Sequence, residues 1–150
     1  MSKLKESLYI LCAEYIKSHE AEIRKTIAEA QEAANDDTKS SAGDKFETGR
    51  EIMQQEIDLN LARLNELNKL KQALERIIPG QKSKTVQPGS VVRTNNGNYY
   101  ISISAGALKV DNVVYYAISA ASPIGTKLAG LSAGNEFSFN GKKFVVESVA

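Results

Sequence analysis

Three aspartates, Asp36, Asp37 and Asp44, fall on one short polar stretch, residues 35–44, and Glu47 follows just beyond it. Carboxylates a few residues apart on a turn can supply two or three oxygens to a hard cation such as Mg²⁺, which keeps its remaining waters. Such a set is too weak to hold the ion alone. It becomes useful where a second molecule contributes the other ligands. Acid–base catalysis is a poorer match, because a solvated turn has no walls to shift a carboxyl pKa or to exclude water.

Other reactive side chains are scarce. Cys12 is the single cysteine, which excludes an internal disulfide framework and a cysteine-ligated metal. Lying between Leu8 and Tyr15 on an apolar helix side, it reads as a small core residue. His19, the single histidine, has no companion for a ligand or base role and reads as a partly buried or edge residue. The chain has no Gly-rich phosphate loop, no Ser-His-Asp arrangement and no Cys/His cluster.

Two long apolar stripes flank the acidic stretch and must position it. Leu4, Leu8, Leu11, Tyr15, Ile23, Ile27, Ala30 and Ala34 recur at steps of three, four or twice four. Phe46, Gly49, Met53, Ile57, Leu64, Leu67, Leu74 and Ile77 do much the same. The spacing predicts helices over about 2–34 and from near Ser41 to just before Pro79-Gly80. Ser41-Ala42-Gly43-Asp44 has the spacing of a capping box with Asp in the acidic position. A break this short folds the chain back into an antiparallel hairpin whose arms would each reach roughly 48 Å. Bulky Leu and Ile make the seam near the base, and Ala30, Ala34 and Gly49 make it near the turn, so the far end is expected to be slender. Asn60 interrupts the second stripe and is expected to fix the register of the pair.

Composition divides the chain. Residues 1–78 carry a formal net charge of −3, residues 79–150 a net of +4, and all three prolines lie in the second part. A net of +4 is too small to argue for nucleic-acid binding. No stretch is long and apolar enough to span a bilayer and no signal core follows the N-terminus, so a cytoplasmic location is expected. The expected organisation is a hairpin over 1–78, a linker over 79–89 and a second domain over 90–150.

After Pro88-Gly89 the apolar period changes to two. Val91/Arg93, Tyr99/Ile101/Ile103, Leu108/Val110, Val114/Tyr116/Ile118, Phe137/Phe139 and Phe144/Val146 read as short strands. Asn95-Asn96-Gly97-Asn98, Asp111-Asn112 and Asn140-Gly141 supply the turns between them. Ser122 as N-cap, Pro123 at the first helical position and Gly130 after the last turn describe a short helix, with Ile124, Leu128 and Leu131 facing the sheet. The fold class is therefore α+β: a two-helix antiparallel coiled coil, then a small twisted antiparallel sheet closed over one short helix. The aromatic residues of the sheet alternate as core residues do, and a base-stacking platform is the alternative reading.

Two segments carry a resemblance to a known family. Ile118-Ser119-Ala120-Ala121-Ser122-Pro123-Ile124-Gly125, continuing through Leu128, Gly130 and Gly134-Asn135-Glu136, resembles the C-terminal signature of the bacterial Gre transcript-cleavage factors. Ile27-Ala28-Glu29-Ala30, with Phe46 and Arg50-Glu51, resembles positions around that family's coiled-coil tip. The likeness covers both halves of the chain and implies an FKBP-like C-terminal domain. It also implies a protein that is no enzyme by itself and has no cofactor of its own; a monomer is expected. Such factors dock at the rim of the secondary channel of RNA polymerase, reach nascent RNA and DNA only through it, and pass the coiled coil inward. Tip acids, here Asp36, Asp37 and Asp44, would then help hold a Mg²⁺ shared with the polymerase active site, where backtracked RNA is hydrolysed. Ser122, Pro123 and Ile124 would match the rim-binding loop. The chain departs from the family at the tip, where the family carries an acid, two residues, a second acid and Asn. With Phe46 matched to the family's aromatic residue, Ala42 and Lys39 stand where the acids would be. A cleavage-inactive channel regulator, an FKBP-like isomerase or chaperone, and a dimerising structural adaptor are the other readings.

Overall fold

The computed structural model describes the backbone of residues 2–40 and 44–150 and the side chains of 3–33 and 49–150. Two long helices pack together, α1 (Ser2–Ser40) and α2 (Asp44–Glu75). Six strands and one short helix follow: β1 (Val91–Thr94), β2 (Gly97–Ser102), β3 (Gly106–Val110), β4 (Val113–Ser119), α3 (Pro123–Leu128), β5 (Glu136–Phe139) and β6 (Lys142–Val149). The protein is α+β, as the change of apolar period requires.

The first helix continues beyond its expected end. Residues 35–40 extend α1 to Ser40. They contain neither Gly nor Pro, and polar residues cost only a few tenths of a kcal/mol each in a helix, so nothing there stops it. The second helix, α2, begins at Asp44, and the capping box expected from Ser41 lies outside the described residues. At the other end α2 stops at Glu75, and the Ile77 N–H closes a tight turn on the Leu74 carbonyl at 3.0 Å. Ile78 precedes Pro79, whose ring disfavours a helical predecessor.

The chain divides into two compact units: residues 16–69, and residues 1–15 together with 70–150. The first holds helix from both arms. Among its described residues the buried positions are few: Ile16, Ala30, Ile57, Asn60 and Leu67. Asn60 donates to the Glu56 carbonyl at 2.9 Å and accepts from Arg63 at 3.5 Å, so these bonds run along its own helix rather than across the pair. His19 is exposed.

The second unit is built on a six-stranded sheet of order β3-β4-β2-β1-β6-β5. Its three hairpins turn at the expected places. Asp111 and Asn112 take φ values of 50° and 65°, and Asn140 with Gly141 takes 52° and 77°. Both are pairs of left-handed residues, as two-residue hairpins of matching twist demand.

One pairing departs from the all-antiparallel expectation: β2 and β4 run parallel, with Tyr99 opposite Tyr116 and Tyr100 opposite Ala117. The β3–β4 hairpin enters the sheet by its more apolar strand. β4 takes the place beside β2, and β3, which buries only Leu108, is left at the edge. Alternation alone describes both strands equally well, so it does not choose between them.

β2 is the strand on which the unit turns, with its last four residues buried. On one face Tyr99 and Ile101 join Val86, Val92, Leu128, Phe144 and Val146 in the main core. On the other, Tyr100 and Ser102 meet the start of α1, where the Cys12 thiol lies 3.5 Å from the Ser102 hydroxyl. The segment before β1 is also knitted in. Val86 is buried and exchanges main-chain hydrogen bonds with Gly130 and Leu131 at 2.9 and 2.8 Å.

Candidate functional site

The corner between β4 and α3 carries Ser122, Pro123 and Ile124. Ser122 is the N-cap in extended conformation, with Pro123 at the start of the helix. Its hydroxyl accepts the Gly125 N–H at 3.1 Å and donates to the Ser119 carbonyl at 2.7 Å. The Ser122 carbonyl receives the Thr126 N–H at 2.9 Å, and the Thr126 hydroxyl donates to the Pro123 carbonyl at 2.8 Å. One serine thus satisfies a free helical N–H and ties the helix back to the end of β4.

Gly125 lets this corner close. A Cβ built there would lie 2.2 Å from the Ser119 carbonyl oxygen and 2.7 Å from the Ser122 hydroxyl. No side chain fits, so glycine is needed for close approach rather than for a left-handed backbone. Ile124 and Leu131 pack against the core from this side, and Leu128 is fully buried within it. Pro123 is exposed and Ser122 half-exposed, so the corner is rigid beneath and accessible above. The sequence pattern points to the cap and the apolar face. It does not mark Gly125 as a contact point, since the carbonyl it touches is a main-chain atom.

The other expected site residues lie at the helix connection. Asp36 and Asp37 fall in the last turns of α1, and Asp44 is the first residue of α2. Their side chains, with those of Phe46 and Glu47, lie outside the described residues. Among the described residues no group of three or more His, Cys, Asp or Glu side chains is placed to hold a metal ion.

Two further groups are buried where α1 meets the sheet. Cys12 is fully buried, and burial pushes its thiol pKa up, as befits a core residue. Tyr100 is also fully buried, and its hydroxyl has no hydrogen-bond partner among the described residues. Burial, with Cys12 and Tyr9 nearby, drives its pKa far above the ordinary tyrosine value. Sequence pattern identifies Tyr100 as a strand residue but gives no sign of the orphaned hydroxyl.

The aromatic residues of the sheet are chiefly packing groups. Phe137 stacks on Phe144 with centroids 4.9 Å apart, Phe139 meets the same ring edge-on at 6.4 Å, and Tyr99 is buried. Tyr116 is the exception, 45% exposed beside Tyr99. Tyr116 and Tyr99 lie with ring centroids 6.0 Å apart, so the exposed ring is backed by a buried one.

No protein-family model matches the chain, and no curated protein matches it. Among the described residues no helix is long and apolar enough to cross a membrane.

Proposed function

We propose that this chain is a secondary-channel factor of RNA polymerase that acts through the polymerase active site. One arrangement carries the reading: helices of 39 and 32 residues meet at a connection flanked by Asp36, Asp37 and Asp44. Acids at the turn of a long hairpin are poorly placed for a site within the chain and well placed for a site inside a partner. The rigid Ser122-Pro123-Ile124 corner, with its exposed proline, supports a docking role for the sheet unit. Hard carboxylate oxygens suit a shared Mg²⁺, and that ion would supply the activation of water for hydrolysis of backtracked RNA. Asp36, Asp37 and Asp44 would hold it from one side and orient the attacking water.

A second reading is a factor of the same kind that occupies the channel without stimulating cleavage. It is favoured by Lys39 and Ala42, which stand where the resembled family carries its acids.

A stalled, backtracked elongation complex separates the two. The wild-type chain should bind polymerase and accelerate transcript cleavage, and Asp36→Ala, Asp37→Ala or Asp44→Ala should lower that acceleration without loss of binding. Unchanged stimulation in all three variants would sink the metal-delivery role. Binding without any stimulation by the wild type would favour the regulator, and no binding would remove both.

A further inference from the structure

A cleft of about 390 Å³ in the sheet unit is lined by Lys5, Lys82, Ser83, Lys84, Val149 and Ala150, among others. Lys5 is the unusual member. It is only 5% exposed, and its ammonium donates to the main-chain carbonyl of Gln81. No carboxylate forms an ion pair with Lys5, Lys82 or Lys84 among the described residues, whose ion pairs lie elsewhere. An ammonium has three N–H donors, and one neutral carbonyl leaves both its charge and its remaining donors poorly compensated. Burial accordingly draws the Lys5 pKa down.

The cleft wall is held in place. The Ser83 hydroxyl donates to the Thr85 carbonyl at 2.7 Å and receives the Thr85 N–H at 3.3 Å. Thr85 in turn bridges to Ser132. Ala150, also in the lining, exchanges both main-chain hydrogen bonds with Val91, at 2.9 and 3.0 Å. No Asp or Glu side chain belongs to the lining.

We propose that this cleft binds a small phosphate monoester, its phosphate drawn to the ammonium groups of Lys5, Lys82 and Lys84 and its organic part lying against Val149 and Ala150. Three point charges call for more than the single charge of a carboxylate, and a phosphate monoester carries nearly two at neutral pH with three acceptor oxygens. A bare phosphate ion would leave the apolar wall uncovered, and the volume falls within the range of small-molecule sites.

The test uses the full chain with phenyl phosphate, inorganic phosphate and benzoate as probes, followed by amide chemical shifts. Phenyl phosphate should shift residues 80–84 and 149–150 and bind at least tenfold more tightly than either other probe. Lys5→Met should weaken it at least tenfold. Because Lys5 is buried, the double variant Lys82→Ser/Lys84→Ser provides the same test at exposed positions, with an unchanged ligand-free melting temperature and a similar loss of affinity. Undiminished affinity in the double variant overturns the site. Shifts that instead track the exposed Lys17, Lys109 and Lys142 with equal affinity overturn it too. Benzoate binding as tightly as phenyl phosphate overturns the assignment of phosphate, and inorganic phosphate doing so overturns the role of the apolar wall.

Discussion

The helical unit of residues 16–69 and the sheet unit solve the burial problem in different ways. Among the described residues of the helical unit a thin line does the work, and Ile52, Leu59 and Leu61 stand about half exposed on α2. In the sheet unit β2 is covered on both faces: Tyr99 and Ile101 on the α3 side, Tyr100 and Ser102 on the side of α1. A helical hairpin needs only to hold a direction, and a seam of modest residues does that. On the proposed function the β4–α3 corner needs a defined surface, and a surface is defined only by what is fixed beneath it.

The sharpest break in that comparison is a truncation in β2. Ile101→Ala removes a side chain 1% exposed in the main core and should destabilise the chain by about 2–5 kcal/mol. Leu59→Ala, at a position 54% exposed on the arm, should change stability by no more than about 0.5 kcal/mol. Chemical denaturation of both variants checks this, and equal losses would mean that the arm is as tightly determined as the body.

A smaller effect tests the corner. Gly125→Ala places a methyl group against the Ser119 carbonyl and should cost about 1–3 kcal/mol as the backbone shifts to admit it. On the proposed function it should also weaken polymerase binding more than an equally destabilising substitution elsewhere in the sheet. Co-sedimentation with polymerase at matched stability would show whether that excess exists.

The smallest effect concerns the orphaned hydroxyl. Tyr100→Phe removes a buried donor that has no partner among the described residues and should be neutral or stabilising by up to about 1 kcal/mol. Its pH dependence has a definite sign. In the fold the Tyr100 phenol stays protonated well above the ordinary tyrosine pKa of about 10, whereas the unfolded chain ionises there. The unfolded state then binds fewer protons, so this residue's contribution is intact below about pH 10 and is lost as pH rises above it. Lys5, whose pKa is drawn down, acts in the opposite sense near the same pH, so the difference between variant and parent is the quantity to follow. Stability of Tyr100→Phe should fall less steeply above about pH 10 than that of the parent. Parallel curves would mean that the hydroxyl finds water in solution.

Much of the architecture was legible because it rests on local rules. Heptad spacing announces the two helices, period-two runs announce the strands, and Asp111-Asn112 and Asn140-Gly141 announce hairpins because few pairs accept left-handed φ at two successive residues. Ser122-Pro123 announces α3 for an equally local reason, a side-chain acceptor before a residue that needs no N–H partner. The first helix, α1, ends six residues beyond its expected end: a run of polar residues resembles a loop, while only a breaker such as Gly or Pro compels one. The acids at the connection are likewise visible as residue types. On the proposed function, what they bind depends on ligands that another molecule would bring.

By itself, then, the sequence determined most of which segments are helix or strand, where the sheet hairpins turn, and that Asp36, Asp37 and Asp44 stand beside a helix connection. Tertiary structure alone decided that β4 rather than β3 lies parallel to β2, since either strand satisfies the alternation and only relative burial favours one. It also decided that Gly125 must lack a side chain, that the Tyr100 hydroxyl is stranded, and that Lys5 is buried with two other lysines around its cleft. Each of these depends on atoms brought together from distant parts of the chain or from the main chain itself, and neither leaves a mark in local residue spacing.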